Sequence, residues 1–164
     1  MKKLLFVLTL LLGLSVGKAH AQDFKIENGA LVVNYPILFE TGSAVLKPES
    51  DSALNYIKHY LDEKTYITLM RIEGHYSFSD ETTNRKLSQE RAMSVCRWLV
   101  GKGISCTRLI AVGFGSSKPN VDNSTPDGKM QNSRIECKNA ALRGRPIGGM
   151  PVEGGGEVAG DVCK

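Results

Sequence analysis

An imidazole, a hydroxyl and a carboxylate fall close together at His75, Ser77 and Asp80. Hydrolases combine these three types, but catalysis needs hydrogen-bond reach between them and an oxyanion hole, which spacing alone does not supply. Such residues are commonplace in a polar loop, so no enzyme is expected. Arg91 offers a different chemistry. A helix opening at Leu87-Ser88, with Ser88 as its N-cap, would put Arg91 in the first turn, where the helix field disfavours a cation. A bound carboxylate would reverse that penalty by drawing on the guanidinium and the open N–H groups. Pairing with Glu81 or Glu90 is the alternative, and the residues alone leave both open.

The four cysteines are Cys96, Cys106, Cys137 and Cys163. No C-x-x-C occurs, and His59 and His75 are far from any cysteine in sequence, so neither a zinc site nor any other cofactor is expected. Cys96 follows Val95 on the apolar side of a helical stretch and Cys137 shares a strand face with Ile135, which suits buried thiols. Cys106 in a connection and Cys163 in a flexible tail are the accessible pair, with ample chain to reach each other. The rival pairing, Cys137–Cys163 with Cys96–Cys106, stays open at this point.

Alternating strands and helices must position these groups. Asn28-Gly29 between alternating runs predicts a hairpin over Phe24–Val33. Pro36–Glu40 reads as a buried strand. Pro48 opens a helix from about Glu49 to Asp62 with Leu54, Ile57 and Leu61 on one face. Tyr66–Glu73 reads as a strand, and a polar irregular stretch then leads to the helix at Ser88, whose apolar face carries Ala92, Val95 and Leu99. Gly101 and Gly103 stop it. A strand at Arg108–Phe114, a short helix at Thr125-Pro126-Asp127 and a strand at Ser133–Cys137 follow. The order gives an α/β sandwich, a mixed sheet with helices on one face. From Lys138 the chain turns Gly-rich and is expected to lie as an extended coat.

Lys2 and Lys3, the apolar Leu4–Val16 run and Ala19-His-Ala21 have the layout of a cleavable signal peptide. The run is too short to span a bilayer, so no membrane span is expected after cleavage. Removing residues 1–21 takes away Lys2, Lys3 and Lys18, and the net charge falls from +4 by three to +1. The basic balance therefore does not argue for nucleic acid. Export to the periplasm is expected, with disulfides permitted there.

Five segments in order, ILFETGSAVLKPES, RIEGH, NRKLSQERAMSVCRWLVGKGI, RLIAVGFGSSKP and NSTPDGKMQNSRIE, resemble the OmpA-like peptidoglycan-binding domain. The resemblance implies a βαβαββ fold over 37–137, preceded by the hairpin at 22–36 and followed by the tail at 138–164. It also implies non-covalent peptidoglycan binding through the diaminopimelate of the stem peptide, in the periplasm and associated with the outer membrane. The implied ligand set is Arg91, Ser77, Asp80, Asn84, Leu87, Asn132 and Arg134. Where the family reads G-H-T-D, this chain has Gly74-His75-Tyr76-Ser77, so a hydroxyl stands in place of the aspartate that takes the ligand's ammonium. Asp80 is the nearby acid able to replace it. Arg134 is as readily a structural partner of a loop carbonyl as a ligand contact. The missing aspartate also raises the alternative of a scaffold whose partner is another outer-membrane or periplasmic protein.

Overall fold

The computed structural model describes residues 23–148, 150 and 154–164. The signal peptide expected at 1–21 lies outside the described residues. Asn28 and Gly29 take positive φ (49° and 77°) and turn β1 (Ile26–Glu27) back onto β2 (Ala30–Leu31), as the type I′ hairpin signal requires. A 3₁₀ turn at Pro48–Ser50 leads into α1 (Asp51–Glu63), which buries Leu54, Ile57 and Leu61. Then come β3 (Ile67–Gly74), α2 (Glu81–Gly101), β4 (Leu109–Gly113), α3 (Pro126–Asn132) and β5 (Ile135–Leu142). Thr125 caps α3 by accepting from the Gly128 N–H.

The sheet runs β1-β2-β5-β3-β4, mixed in direction: β3 and β4 are parallel, β3 and β5 antiparallel. Met70, Ile72, Ala111 and Cys137 join Leu54, Ile57, Leu61, Val95 and Leu99 in one core between the sheet and α1 and α2. The α/β sandwich with a mixed sheet is therefore the fold. Arg108 closes the far end of α1 by donating to the carbonyls of Leu61 and Ile67, both at 2.9 Å. Among the described residues, no helix is long and apolar enough to cross a membrane.

Three expectations need correction. Pro36–Glu40 is not a sheet strand, and Leu38 is exposed. Pro36 cannot donate to a ladder, and both backbone groups of Leu38 are already taken. Its N–H donates to Ser50 Oγ at 2.8 Å, and its carbonyl accepts from Ser50 Oγ and from the Lys47 N–H. Secondly, the helix expected at Ser88 begins at Glu81. Thirdly, the last strand does not end at Cys137 but runs to Leu142, because Lys138, Asn139 and Ala141 pair with Arg71, Met70 and Leu69 of β3.

The chain beyond Leu142 turns back as β6 (Arg145–Pro146) beside β5, and later adds β7 (Glu157–Val158) to the β4 edge. Val162 enters the core, and Cys163 is bonded to Cys106 with an S–S distance of 2.07 Å. Cys96 and Cys137 are free and buried, and burial raises the thiol pKa of Cys137 to about 12. The bridged cysteines are 57 positions apart, a loop closure worth about 4 kcal/mol on chain entropy. Denatured protein without reductant should titrate two thiols. Cys163→Ser should lower the denaturant midpoint and make the chain after Leu142 the first site of limited proteolysis.

Candidate functional site

Asp80 begins α2. Its carboxylate accepts from the Thr83 N–H at 3.0 Å and from Thr83 Oγ1 at 2.7 Å, which is N-cap geometry. These hydrogen bonds hold its pKa down at about 2. Ser88 is consequently an interior helix residue, fully buried, accepting from the Gly115 N–H at 2.9 Å and donating to the Arg85 carbonyl. Arg91 lies ten positions after Glu81, well beyond the first turn. The helix field that would set a cation against the N-terminus acts there too weakly to matter. The first-turn argument for Arg91 is therefore wrong, and its setting has another origin.

That origin is a cleft of about 440 Å³ between the 37–42 segment, the loop after β3 and the end of α3. The Arg91 guanidinium lies between two rings, 4.7 Å from the centroid of Phe39 and 4.6 Å from that of Tyr76. Its Nε donates to the Ser43 carbonyl at 2.9 Å. Burial pulls its pKa below the ordinary guanidinium value, yet arginine stays charged. Its terminal nitrogens make no hydrogen bond among the described residues. This is a fixed cation with a planar pair of donors, the form suited to a carboxylate.

Arg134 lines the same cleft, held by Glu136 Oε1 at 2.7 Å and by the Asn132 carbonyl at 3.0 Å. The remaining candidates do not line it. Asn84 is buried and clamps Ser79, accepting from its N–H at 2.8 Å and donating to its carbonyl at 2.7 Å. Asn132 clamps the preceding loop through the Asn120 and Val121 N–H groups and the Val121 carbonyl. Leu87 packs in the interior. Ser77 is buried, and its N–H donates to Ser133 Oγ at 3.2 Å. Asp80 is committed to the helix end. The structure thus gathers Arg91 and Arg134 at the cleft and gives Asn84 and Asn132 the work of shaping its loops. His75, Ser77 and Asp80 make no hydrogen bonds to one another among the described residues.

Residues 38–133 match the OmpA family. The chain belongs to the OmpA family. It is 33% identical over 114 residues to a probable lipoprotein, YiaD, of Escherichia coli, a match covering 68% of this chain and 52% of that protein. The chain thus spans about half the length of that relative. Among solved structures it resembles the cell wall anchor of the T6SS from Pseudomonas aeruginosa, with 27% identity and a TM-score of 0.56 over 63% of this chain and 75% of that one. The peptidoglycan-associated lipoprotein of Burkholderia pseudomallei shares the fold, at 23% identity and a TM-score of 0.57 over 63% and 88% of the two chains.

In this OmpA-family chain the face of the sheet away from the helices carries a network that the sequence reading missed. Arg71 and Glu73 alternate with Met70 and Ile72 along β3 and so point away from the apolar core, yet all four are buried. Arg71 Nε donates to Glu73 Oε1 at 2.7 Å, and its guanidinium also reaches the Gly155 carbonyl of the tail. Glu73 Oε2 faces Lys138 at 3.3 Å and Lys118 at 3.8 Å, and Lys138 bridges on to Glu136 at 3.2 Å. Charges spaced by two in an otherwise β-rich run, Arg71-Ile-Glu73, were the available signal. Glu73, His75 and Glu136 hold ligand atoms within 4.8 Å of one another, the spacing of a metal site. The Lys138 ammonium bridges both carboxylates, so a positive charge already stands where a cation would go.

His75 stacks on Phe114, with ring centroids 5.1 Å apart, and neither ring nitrogen has a hydrogen-bond partner among the described residues. Burial first, and the nearby Arg134 charge second, depress its pKa to about 3. The folded value lies below the ordinary 6.5, so between these pH values the unfolded chain binds a proton that the native one refuses. The contribution of neutral His75 is complete above pH 6.5 and is lost as pH falls towards 3. The slope approaches about 1.4 kcal/mol per pH unit within that window. Glu136, held at about 2 by Arg134 and Lys138 against its own burial, adds to the loss below its ordinary 4.5. Melting temperatures of wild type and His75→Phe should therefore diverge between pH 6.5 and 4.5, with the variant the flatter.

Proposed function

We propose that this chain binds peptidoglycan non-covalently at the Arg91 cleft, taking a carboxylate of the stem peptide at its diaminopimelate residue, and that it works in the cell envelope. One observation carries the reading: a half-buried guanidinium fixed between Phe39 and Tyr76, its terminal nitrogens free of other described residues, in a cleft of about 440 Å³. A bidentate carboxylate completes that donor pair with charge-assisted hydrogen bonds. Arg134, on the same wall, adds positive potential. Family membership supports the ligand class, as does the likeness to a cell wall anchor and to a peptidoglycan-associated lipoprotein.

Of the expected ligand set, Arg91 and Arg134 are the residues we assign to contact. Asn84, Leu87 and Asn132 support the loops around them, and Asp80 acts through the start of α2. Ser77 is set against Ser133 at the base of the loop. Co-sedimentation with purified diaminopimelate-type sacculi tests the assignment. Arg91→Ala should lose several-fold or more of the bound fraction while keeping its circular dichroism and melting behaviour. Asp80→Ala should lower the melting temperature and weaken binding only in proportion to unfolding. Unchanged pelleting of Arg91→Ala would overturn the Arg91 assignment, and a wild type that does not pellet would leave an envelope protein as the partner instead.

A further inference from the structure

Resting on that reading, we infer that the cleft selects an N-acylated amino-acid carboxylate over the free zwitterion, so that its ligands are cross-linked stem peptides, in which the diaminopimelate side-chain amine is an amide. The charge inventory of the walls is the first ground. Among the described residues lining the cleft there are two guanidiniums, Arg91 and Arg134, and no carboxylate. The acids nearby lie outside the lining and have partners. Asp80 holds the start of α2, Glu136 is gripped by Arg134 and Lys138, Glu73 by Arg71 and Lys138, and the exposed Glu40 stands 3.9 Å from Lys47. A ligand ammonium brought beside the carboxylate would shed water and meet cations without a counter-charge. Acylation of that amine removes the charge and leaves one N–H, for which a neutral acceptor suffices.

The walls supply what an acyl amide needs. Thr41 brings a neutral hydroxyl to the cleft. Leu38, Phe78 and Met130 on its rim are exposed, at 41%, 48% and 63%. Apolar surface left open at the mouth of a cationic site fits a carboxylate with an uncharged group beside it, and a bare amino-acid terminus would leave that surface in water. The volume, about 440 Å³, is well beyond what one such terminus fills, and an acyl group takes up the remainder.

Calorimetry with two synthetic stem tripeptides tests this, one ending in meso-diaminopimelate with its side-chain amine free, the other with that amine acetylated. The acetylated peptide should bind several-fold more tightly. Thr41→Asp, which adds a carboxylate to an exposed position on the wall, should shift the ratio towards the free amine. Equal affinity, or tighter binding of the free amine by wild type, overturns the selectivity while leaving peptidoglycan binding intact. Binding of neither peptide overturns both.

Discussion

A Cβ atom at residue 113 would stand 2.7 Å from both Ser88 Oγ and the Gln89 nitrogen, and one at residue 74 would overlap the Ser88 carbonyl. Two glycines at paired positions on parallel strands let α2 lie against the sheet closer than any side chain allows. Ser88 fills the contact, and its hydroxyl also receives the Gly115 N–H, joining the loop after β4 to the helix. The rest of the site is measured from this point. One turn before it stands Asn84, which holds the loop after β3, and one turn after it stands Arg91, which reaches the cleft. A helix standing off by the width of a methyl group would carry Arg91 away from Phe39 and Tyr76 together.

Much of this was legible in order and little of it in role. Periodicity located α1, β3 and β4 within a residue or two, because one apolar face on each meets a single core. The start of α2 was misread because Ser88 has the residue type of an N-cap and precedes an apolar stripe, whereas Asp80 precedes a polar first two turns. Those turns are polar for a reason: Asn84 holds Ser79 in the loop before the helix, and Glu81 accepts from Ser116 in the loop after β4. Amphipathicity therefore marks only the half of the helix over the core. Pro36–Glu40 was misread for a related reason. Its apolar residues line a cleft, and a run facing a cleft has the same composition as a run facing a core.

The segment after Lys138 shows what composition conceals. It is poor in large apolar residues, as a disordered tail would be, yet it is held at several separate points. Lys138 to Leu142 belong to β5, Glu157 and Val158 to the β4 edge, Val162 to the core, and Cys163 to a covalent bond with Cys106. Its Gly155 carbonyl receives the Arg71 guanidinium, which would otherwise face solvent from the middle of a sheet. A buried ion pair contributes little net stability against an apolar substitute, but losing one partner is costly. The tail thus covers the Arg71–Glu73 pair and supplies the guanidinium with a carbonyl acceptor there.

That cover bears on the cleft through charge. Glu73 and Glu136 pair with four cations, Arg71, Lys118, Arg134 and Lys138, of which Arg134 lines the cleft. Two negative charges against four positive ones leave this region cationic. His75, which lines the cleft, stays neutral chiefly through its burial and then through the nearby Arg134 charge, its pKa depressed to about 3. Arg91 pairs with no carboxylate among the described residues and is disfavoured by its own burial, which two aromatic faces offset only in part. In the proposed reading, an anion in the cleft offsets the rest. On the proposed reading, a carboxylate in the cleft would draw on Arg134 and the positive charge behind it as well as on Arg91 itself.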